Sequence, residues 1–467
     1  MRWMAMPVSS ASAPLEGLTL ASPAAERVAV ITVALTTMLA PLNSTMIAVA
    51  LPHVVAEFGA DVTSVGWLVT SYLIAMAALQ PVAGKLGDRL GRRRLILGGV
   101  AWFGVVSLGA ATAPSLSALL FFRVQQAIAG AIALPNGAAL LREVVPVERR
   151  GGRFGLVGAA VALAAAAGPP LGGLLVGIAG WRSIFYVNLL FILPTLAFGW
   201  RWIPVGPRRR IDHPFDLAGA VLLSAGLMGI TGLLTHGPKS HPVLAPMLAV
   251  ALAILAAIFV RRELRHPDPV LQPRFFGRRV FAAANAAIAL SNLAMYSTLL
   301  AIPILLVRRT GWTSVEVGLV LGVMSVGMVV FSPIGGRLAD RLGRRGPTLA
   351  GLSVLALGLV PLALRGGGIT TQALLSGLGL MGAGLGLSSA GLQTAAIEAV
   401  GSREAGVASG VFSTSRYLGS IVGSSVLAGF LGPPSDDITG FAAVFLMAVA
   451  AAFLSVLVGS ALREKRG

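Results

Sequence analysis

The chain has 467 residues, 56% of them hydrophobic and only 12% charged, with a mean hydropathy of +0.84. A soluble domain carries about 25% charge, so this composition excludes an ordinary water-facing surface and points to lipid as the solvent. The net charge of +18 would suit nucleic acid in a soluble chain, and the absence of cysteine excludes disulfide frameworks, thiolate metal sites and thiol nucleophiles.

In chain order, residues 1–27 read as a polar tail. The apolar run that follows is too long and starts too late for a cleavable signal peptide. A membrane helix needs about 20 mostly apolar residues. Fourteen runs qualify: 28–51, 65–83, 95–113, 115–137, 154–178, 183–203, 216–235, 243–260, 280–306, 315–334, 347–364, 371–393, 406–430 and 439–462. They are long and lack period-2 alternation, which sets aside a transmembrane barrel. With the N-terminus in the cytoplasm, 29 of the 36 Lys and Arg residues fall in inner tails and loops and 5 in outer loops. That bias predicts both termini on the cytoplasmic side. It also assigns the basic charge to loops beside anionic lipid rather than to nucleic acid.

The polar residues within or beside these spans are few. Span 1 contains APLNSTMIAVALP, with Asn43, whose amide cannot titrate. Span 2 carries Tyr72 and Gln80 and runs into GKLGDRLGRRR, with Gly84, Asp88, Gly91 and Arg92. Between spans 10 and 11 the phrase returns as GRLADRLGRR, with Asp340 and Arg344. Eight of ten aligned positions are identical, and the offset from Asp88 to Asp340 is 252. Such a repeat signals a duplicated bundle. Both copies read as inner loops, in which glycines allow a tight turn and the aspartate bonds an arginine or caps a helix. Span 4 holds Arg123, Gln126 and Asn136. Arg123 lies about eight residues from the outer end, or roughly 12 Å deep, where a charge is costly and becomes a functional hypothesis. A structural clamp on span 1 and a coupling role are both open for it. Span 5 reads AAAAGPPLGG, with Gly168, Pro169, Gly172 and Gly173, in which proline kinks the helix and glycines permit close packing. Asn285, Asn292 and Tyr296 in span 9 and Gln393 in span 12 are further cavity candidates. Arg416 in span 13 is a second embedded cation, read first as a clamp and second as a coupling residue. Asp216, Glu316 and Glu398 lie near helix ends, and no carboxylate falls at mid-membrane. His53 and His236 sit near the outer surface and are read as incidental.

These motifs resemble the major facilitator superfamily. GKLGDRLGRRR is similar to its motif A, whose Asp–Arg contacts latch the cytoplasmic gate. GPPLGG resembles the exporter-associated motif C, and FFRVQQAIAG resembles motif B except that Ala127 stands where Gly is usual. WRSIFYVN (Trp181, Arg182, Phe185, Asn188), FDLAG (Phe215 to Gly219) and the span-13 run with Gly419 and Gly423 resemble the fourteen-helix drug:proton antiporter branch. The resemblance covers residues 28–462. In that branch the place of Asn43 is held by an aspartate that carries protons.

The predicted architecture is therefore an all-α integral membrane protein of two pseudo-symmetric six-helix bundles (28–203 and 280–462). A linker over 204–279 adds two helices, and a tail over 463–467 is cytoplasmic. The resemblance implies a monomeric secondary transporter in a bacterial cytoplasmic membrane, contacting lipids and a small-molecule substrate. Its expected activity is export of amphipathic drugs or antibiotics by alternating access, with protons as coupling partner although Asn43 replaces the usual carrier. Two alternatives stand beside it: a dedicated self-resistance, metabolite or lipid exporter without standard proton antiport, and a non-transporting sensor on the same fold. With embedded arginines and no embedded acid, preferred substrates are expected to be neutral, zwitterionic or anionic. No G-x-x-x-x-G-K-[ST] loop is present, so the chain is not read as an ATP-hydrolysing enzyme, and no cofactor or metal is expected.

Overall fold

A computed structural model of the chain describes residues 23–204, 216–236, 244–267, 269–365, 370–400, 404–431 and 438–462. The first bundle comprises α1 (Pro23–Phe58), α2 (Val62–Leu90), α3 (Arg92–Ala111), α4 (Leu116–Val144), α5 (Val147–Ala179), the single turn α6 (Ser183–Tyr186) and α7 (Asn188–Trp202). The inserted pair is α8 (Leu217–His236) and α9 (Leu244–Arg265). The second bundle comprises α10 (Arg279–Thr310), α11 (Ser314–Leu342), α12 (Arg345–Arg365), α13 (Thr371–Glu398), α14 (Ala405–Phe430) and α15 (Ile438–Gly459). Apart from α6, these are fourteen long helices, and among the described residues no strand occurs. A backbone in hydrocarbon must satisfy its polar groups internally, which only helices of this length or closed barrels achieve. Thirteen of the helices are long and apolar enough to cross a membrane. The fourteenth long helix, α14, has 26 residues and carries the polar run Ser413 to Tyr417.

Several helices outrun their predicted spans. α1 begins at Pro23, with Glu26 in its first turn, where a carboxylate is favoured. That carboxylate is buried and accepts from Arg153 at 2.8 Å and Arg149 at 3.4 Å, tying α1 to the start of α5. The repeated phrases are not loops. In each, the preceding helix continues to a leucine, Leu90 or Leu342, and one glycine makes the turn: Gly91 at φ +96° and Gly343 at φ +87°. Only glycine accepts these angles without strain, so the phrase is a helix end, a turn of one residue (Gly91) or two (Gly343 and Arg344), and a helix start.

In the inserted pair, Asp216 caps α8. Its Oδ1 accepts from the Gly219 backbone N–H at 2.7 Å and from Arg262 of α9 at 2.8 Å. Burial raises the pKa of this carboxyl, but the Arg262 and Gly219 bonds outweigh burial and hold it below the usual range. The same residues account for the FDLAG run.

The bundles meet second helix to fifth helix, twice over: α5 packs on α11 and α2 packs on α14. In the α5–α11 seam the backbones nearly touch. A β-carbon at Gly318 would stand 2.7 Å from the Pro169 carbonyl oxygen and 2.8 Å from Gly173 Cα. In the α2–α14 seam, Thr63 donates to the Ala428 carbonyl at 3.1 Å, and Thr70 and Ser424 share a hydroxyl bond of 2.8 Å. His53 Nε2 lies 3.1 Å from Ser314 Oγ. These contacts lie toward the ends of the helices opposite the termini, here called the far face. The bundles are closed together there.

Thr70→Cys with Ser424→Cys is expected to form a disulfide in high yield on oxidation, because two short side chains meet there at 2.8 Å in a chain free of native cysteine. Adding Gly173→Val should sharply lower that yield, because overpacking the companion α5–α11 seam, at a cost of about 1–3 kcal/mol, works against closure of the same face. Mass-spectrometric quantification of the cross-linked peptide checks both.

Candidate functional site

Arg123 organises the interior of the first bundle. Seven residues into α4, it is fully buried. Its Nη1 donates to Asn43 Oδ1 of α1 and to Gln126 Oε1 at 2.9 Å, and its Nε donates to the Leu68 carbonyl of α2 at 3.3 Å. The guanidinium lies over the Tyr72 ring at 4.4 Å and near that of Phe185 at 6.0 Å. Gln126 passes the network on, donating to Ser107 of α3 at 2.8 Å, and Asn188 of α7 donates to the same hydroxyl at 3.2 Å. Five helices thus converge on one cation, and among the described residues no carboxylate touches it. The arrangement can recognise anionic or polar groups by hydrogen bonding, and it has no titrating acid of its own.

The WRSIFYVN run supports this site from the far face. Trp181 Nε1 and Arg182 Nη1 donate to Glu57 Oε2 at the end of α1, at 2.6 and 2.7 Å. Phe185 and Asn188 then project into the Arg123 cluster. Glu57 and Ser107 escaped the sequence reading. Glu57 lies in a stretch taken as loop, and a single serine in an apolar helix has no pattern. The pairing of a buried-side Trp–Arg dipeptide with an acid at the end of span 1 is the signal that could have found Glu57.

A polar seam runs beside the cluster, between the bundles. Ser44, next to Asn43, bonds Tyr296 of α10 at 2.9 Å, and Gln80 of α2 donates to Tyr417 of α14 at 3.2 Å. The separation of Ser44 and Tyr296 is 252, the offset of the duplicated phrase. Arg416 is exposed, its guanidinium 5.6 Å from the Tyr417 ring centre. Gln393 is also exposed. Other candidates serve packing. Asn136 is fully buried and donates to the Ala83 and Ile132 carbonyls at 2.9 and 2.7 Å, joining α4 to α2. Asn285 bonds its own helix at the Phe281 carbonyl and accepts from Ser415 of α14 at 2.9 Å. Asn292 bonds its own helix at the Ile288 carbonyl.

The glycine-proline run of α5 faces two ways. A β-carbon at Gly168 would overlap Thr45 Oγ1 of α1, and one at Gly172 would stand 3.1 Å from the Met46 carbonyl. Gly173 faces α11 across the seam instead, and Pro170 lies against Gly322. The second bundle repeats the packing, with Gly419 and Gly423 of α14 set against Ala289 and Leu293 of α10.

At the face that bears the termini, the two copies of the repeated phrase engage equivalent partners. Arg92 lies 3.5 Å from Glu143 at the end of α4, and Arg344 lies 3.0 Å from Glu398 at the end of α13. Arg344 also donates to Asp340 at 2.6 Å. The Glu398 and Asp340 bonds raise the Arg344 pKa. Gly84 and Asp88 belong to the last turns of α2, and the Asp88 side chain lies outside the described residues.

A family model for the Major Facilitator Superfamily matches residues 33–424, and again residues 285–466. The chain belongs to this superfamily. It is 34% identical over 437 residues to the uncharacterized MFS-type transporter YvkA of Bacillus subtilis, covering 93% of this chain and 96% of that one. It is 31% identical to a multidrug resistance protein B homolog of Mycobacterium tuberculosis, covering 84% of this chain and 74% of that protein. It is 30% identical to the tetracenomycin C resistance and export protein of Streptomyces glaucescens, covering 87% and 76%. The crystal structure of a bacterial homolog to the human lysosomal transporter Spinster matches with a TM-score of 0.69, at 16% identity, over 96% of this chain and 100% of that one. This major facilitator superfamily protein is thus a transporter and not an enzyme, with many membrane-spanning helices.

In a transporter of this build, the Arg92–Glu143 pair ties the start of α3 to the end of α4. Glu143→Gln is expected to cost less than about 1 kcal/mol of stability, since the pair is partly solvated, while slowing transport several-fold. Efflux rate and melting temperature, measured on the same preparations, separate the two effects.

Proposed function

We propose that the chain is a secondary active exporter of amphipathic small molecules, of the fourteen-helix drug:proton antiporter branch, seated in a bacterial cytoplasmic membrane. The observation that carries this reading is the pair of seams, one glycine-tight and one hydroxyl-bonded, that close the far face while a polar seam, Ser44–Tyr296 and Gln80–Tyr417, lies at the centre. Two bundles closed at one face around a central polar zone suit alternating access. The arginine bias supports placing the termini, and the face opposite the seams, in the cytoplasm. In that orientation substrate enters from the cytoplasm or inner leaflet and leaves when the α5–α11 and α2–α14 seams part. The printed names of relatives, multidrug resistance and tetracenomycin C export, support a drug-like cargo.

Arg123 is the coupling centre of this reading. With Asn43 in place of a carboxylate, protons do not bind at this position of α1, and any coupling acts through other groups. Export in proteoliposomes of a fluorescent amphipathic drug should therefore persist across external pH 6 to 8 with little change in rate. Arg123→Gln should reduce it at least about tenfold, the loss of a charge-assisted contact. No transport of any amphipath under any gradient would favour the sensor reading.

Orientation has its own check. Asp268→Cys, a single cysteine in the loop after α9, should be labelled by an impermeant maleimide in inside-out vesicles and protected in intact cells. Labelling from outside intact cells would reverse the proposed topology.

A further inference from the structure

Among the described residues Arg123 has no anionic partner, and the cluster still holds two unused donors. A charge taken into a low-dielectric interior is paired or hydrogen-bonded throughout, because its desolvation costs several kcal/mol. Here Nη1 and Nε are engaged, by Asn43 Oδ1, Gln126 Oε1 and the Leu68 carbonyl. Arg123 Nη2 and Asn43 Nδ2 are both buried and have no hydrogen-bond partner among the described residues. The bond from Arg123 to Asn43 Oδ1 fixes the amide so that its Nδ2 points elsewhere as a donor. Two buried donors on hydrogen-bonded side chains, one of them cationic, therefore lack an acceptor among the described residues. The acceptors that do serve the guanidinium are neutral. The Tyr72 face 4.4 Å away adds cation–π attraction, which does not replace a counter-charge.

The cluster is also close in sequence to a contact between the bundles. Ser44, the residue after Asn43, makes the inter-bundle bond to Tyr296, so Asn43 is one residue from the cleft between bundles.

We infer that Arg123 Nη2 and Asn43 Nδ2 form a binding site for a monovalent anion, which neutralises the buried guanidinium from outside the chain. The site takes either a small inorganic anion or the carboxylate of an amphipathic substrate. Both place one acceptor oxygen or halide between the two donors. This deepens the exporter reading by giving the cargo or its companion ion a negative charge, but binding itself is read without transport.

The test uses the purified full chain in detergent at constant ionic strength, with sodium gluconate replaced stepwise by sodium chloride in one series and sodium benzoate in another. Melting temperature is the readout. A saturable rise is expected in at least one series. Chloride alone identifies a resident inorganic ion; benzoate, alone or more tightly, identifies a substrate carboxylate. Asn43→Asp is the decisive variant, because it places a carboxylate beside Arg123 and occupies the role of the anion. It should fold, melt at or above the wild-type temperature in gluconate, and bind either probe at least about tenfold more weakly. Arg123→Gln should lose the response altogether. If it does not fold, Asn43→Asp carries the test alone. No rise in either series, or an equal rise in wild type and Asn43→Asp, overturns the site. Anion binding without transport would leave the site standing and defeat the exporter reading. Transport with identical anion responses in wild type and Asn43→Asp would do the reverse.

Discussion

The closure of one face rests on how near two backbones can come. Helices in lipid gain little from hiding apolar surface and associate instead through packing contacts and hydrogen bonds. Across the α5–α11 seam the approach is limited only by backbone atoms, with the Gly318 site 2.7 Å from the Pro169 carbonyl. Such contact is deep but narrow. Among the described residues it carries no ion pair, so parting it would expose no charge that has to be newly solvated. Proline takes part directly, since the Pro169 carbonyl and the Pro170 ring are the atoms that face Gly318 and Gly322 of α11.

Duplication explains much of the remaining architecture, and its failures are informative. Gly168 and Gly172 pack α5 on α1 as Gly419 and Gly423 pack α14 on α10. Arg92 and Glu143 are mirrored by Arg344 and Glu398. The packing skeleton and the clamps at the terminus-bearing face have kept their symmetry, whereas the buried cation has not. The residue in α13 that corresponds to Arg123 by the Glu143–Glu398 alignment is Leu378, fully buried among apolar neighbours. One half is thus built around a buried charge, and the other has an apolar residue at the equivalent place.

Much of the fold was legible because lipid imposes simple rules. Runs of about 20 apolar residues had to be spans, and the segregation of arginine had to reflect sidedness. Helix ends were not legible in the same way. Once a helix leaves the hydrocarbon, hydropathy no longer marks it, so α1 from Pro23 to Glu26 and the last turns of α2 from Gly84 to Leu90 were read as tail and loop. The site was legible in its centre and opaque at its edges. Arg123 stands out in any apolar stretch, but its link through Gln126 and Ser107 to Asn188 joins residues 65 positions apart at the ends, and only folding brings them together. Asn136 illustrates the opposite case. A buried amide looks the same in sequence whether it lines a cavity or, as here, staples α4 to the Ala83 carbonyl of α2.

The bond between Ser44 and Tyr296 has a geometric meaning that its chemistry does not reveal. Residues related by the repeat can touch one another only where the pseudo-twofold axis passes between them. A point on that axis is the place where displacement is smallest when the two halves rock in opposite senses. The Ser44–Tyr296 hydroxyl pair is therefore a fulcrum. Any rocking of one half against the other would move the helix ends far more than this bond, which would need only to swivel.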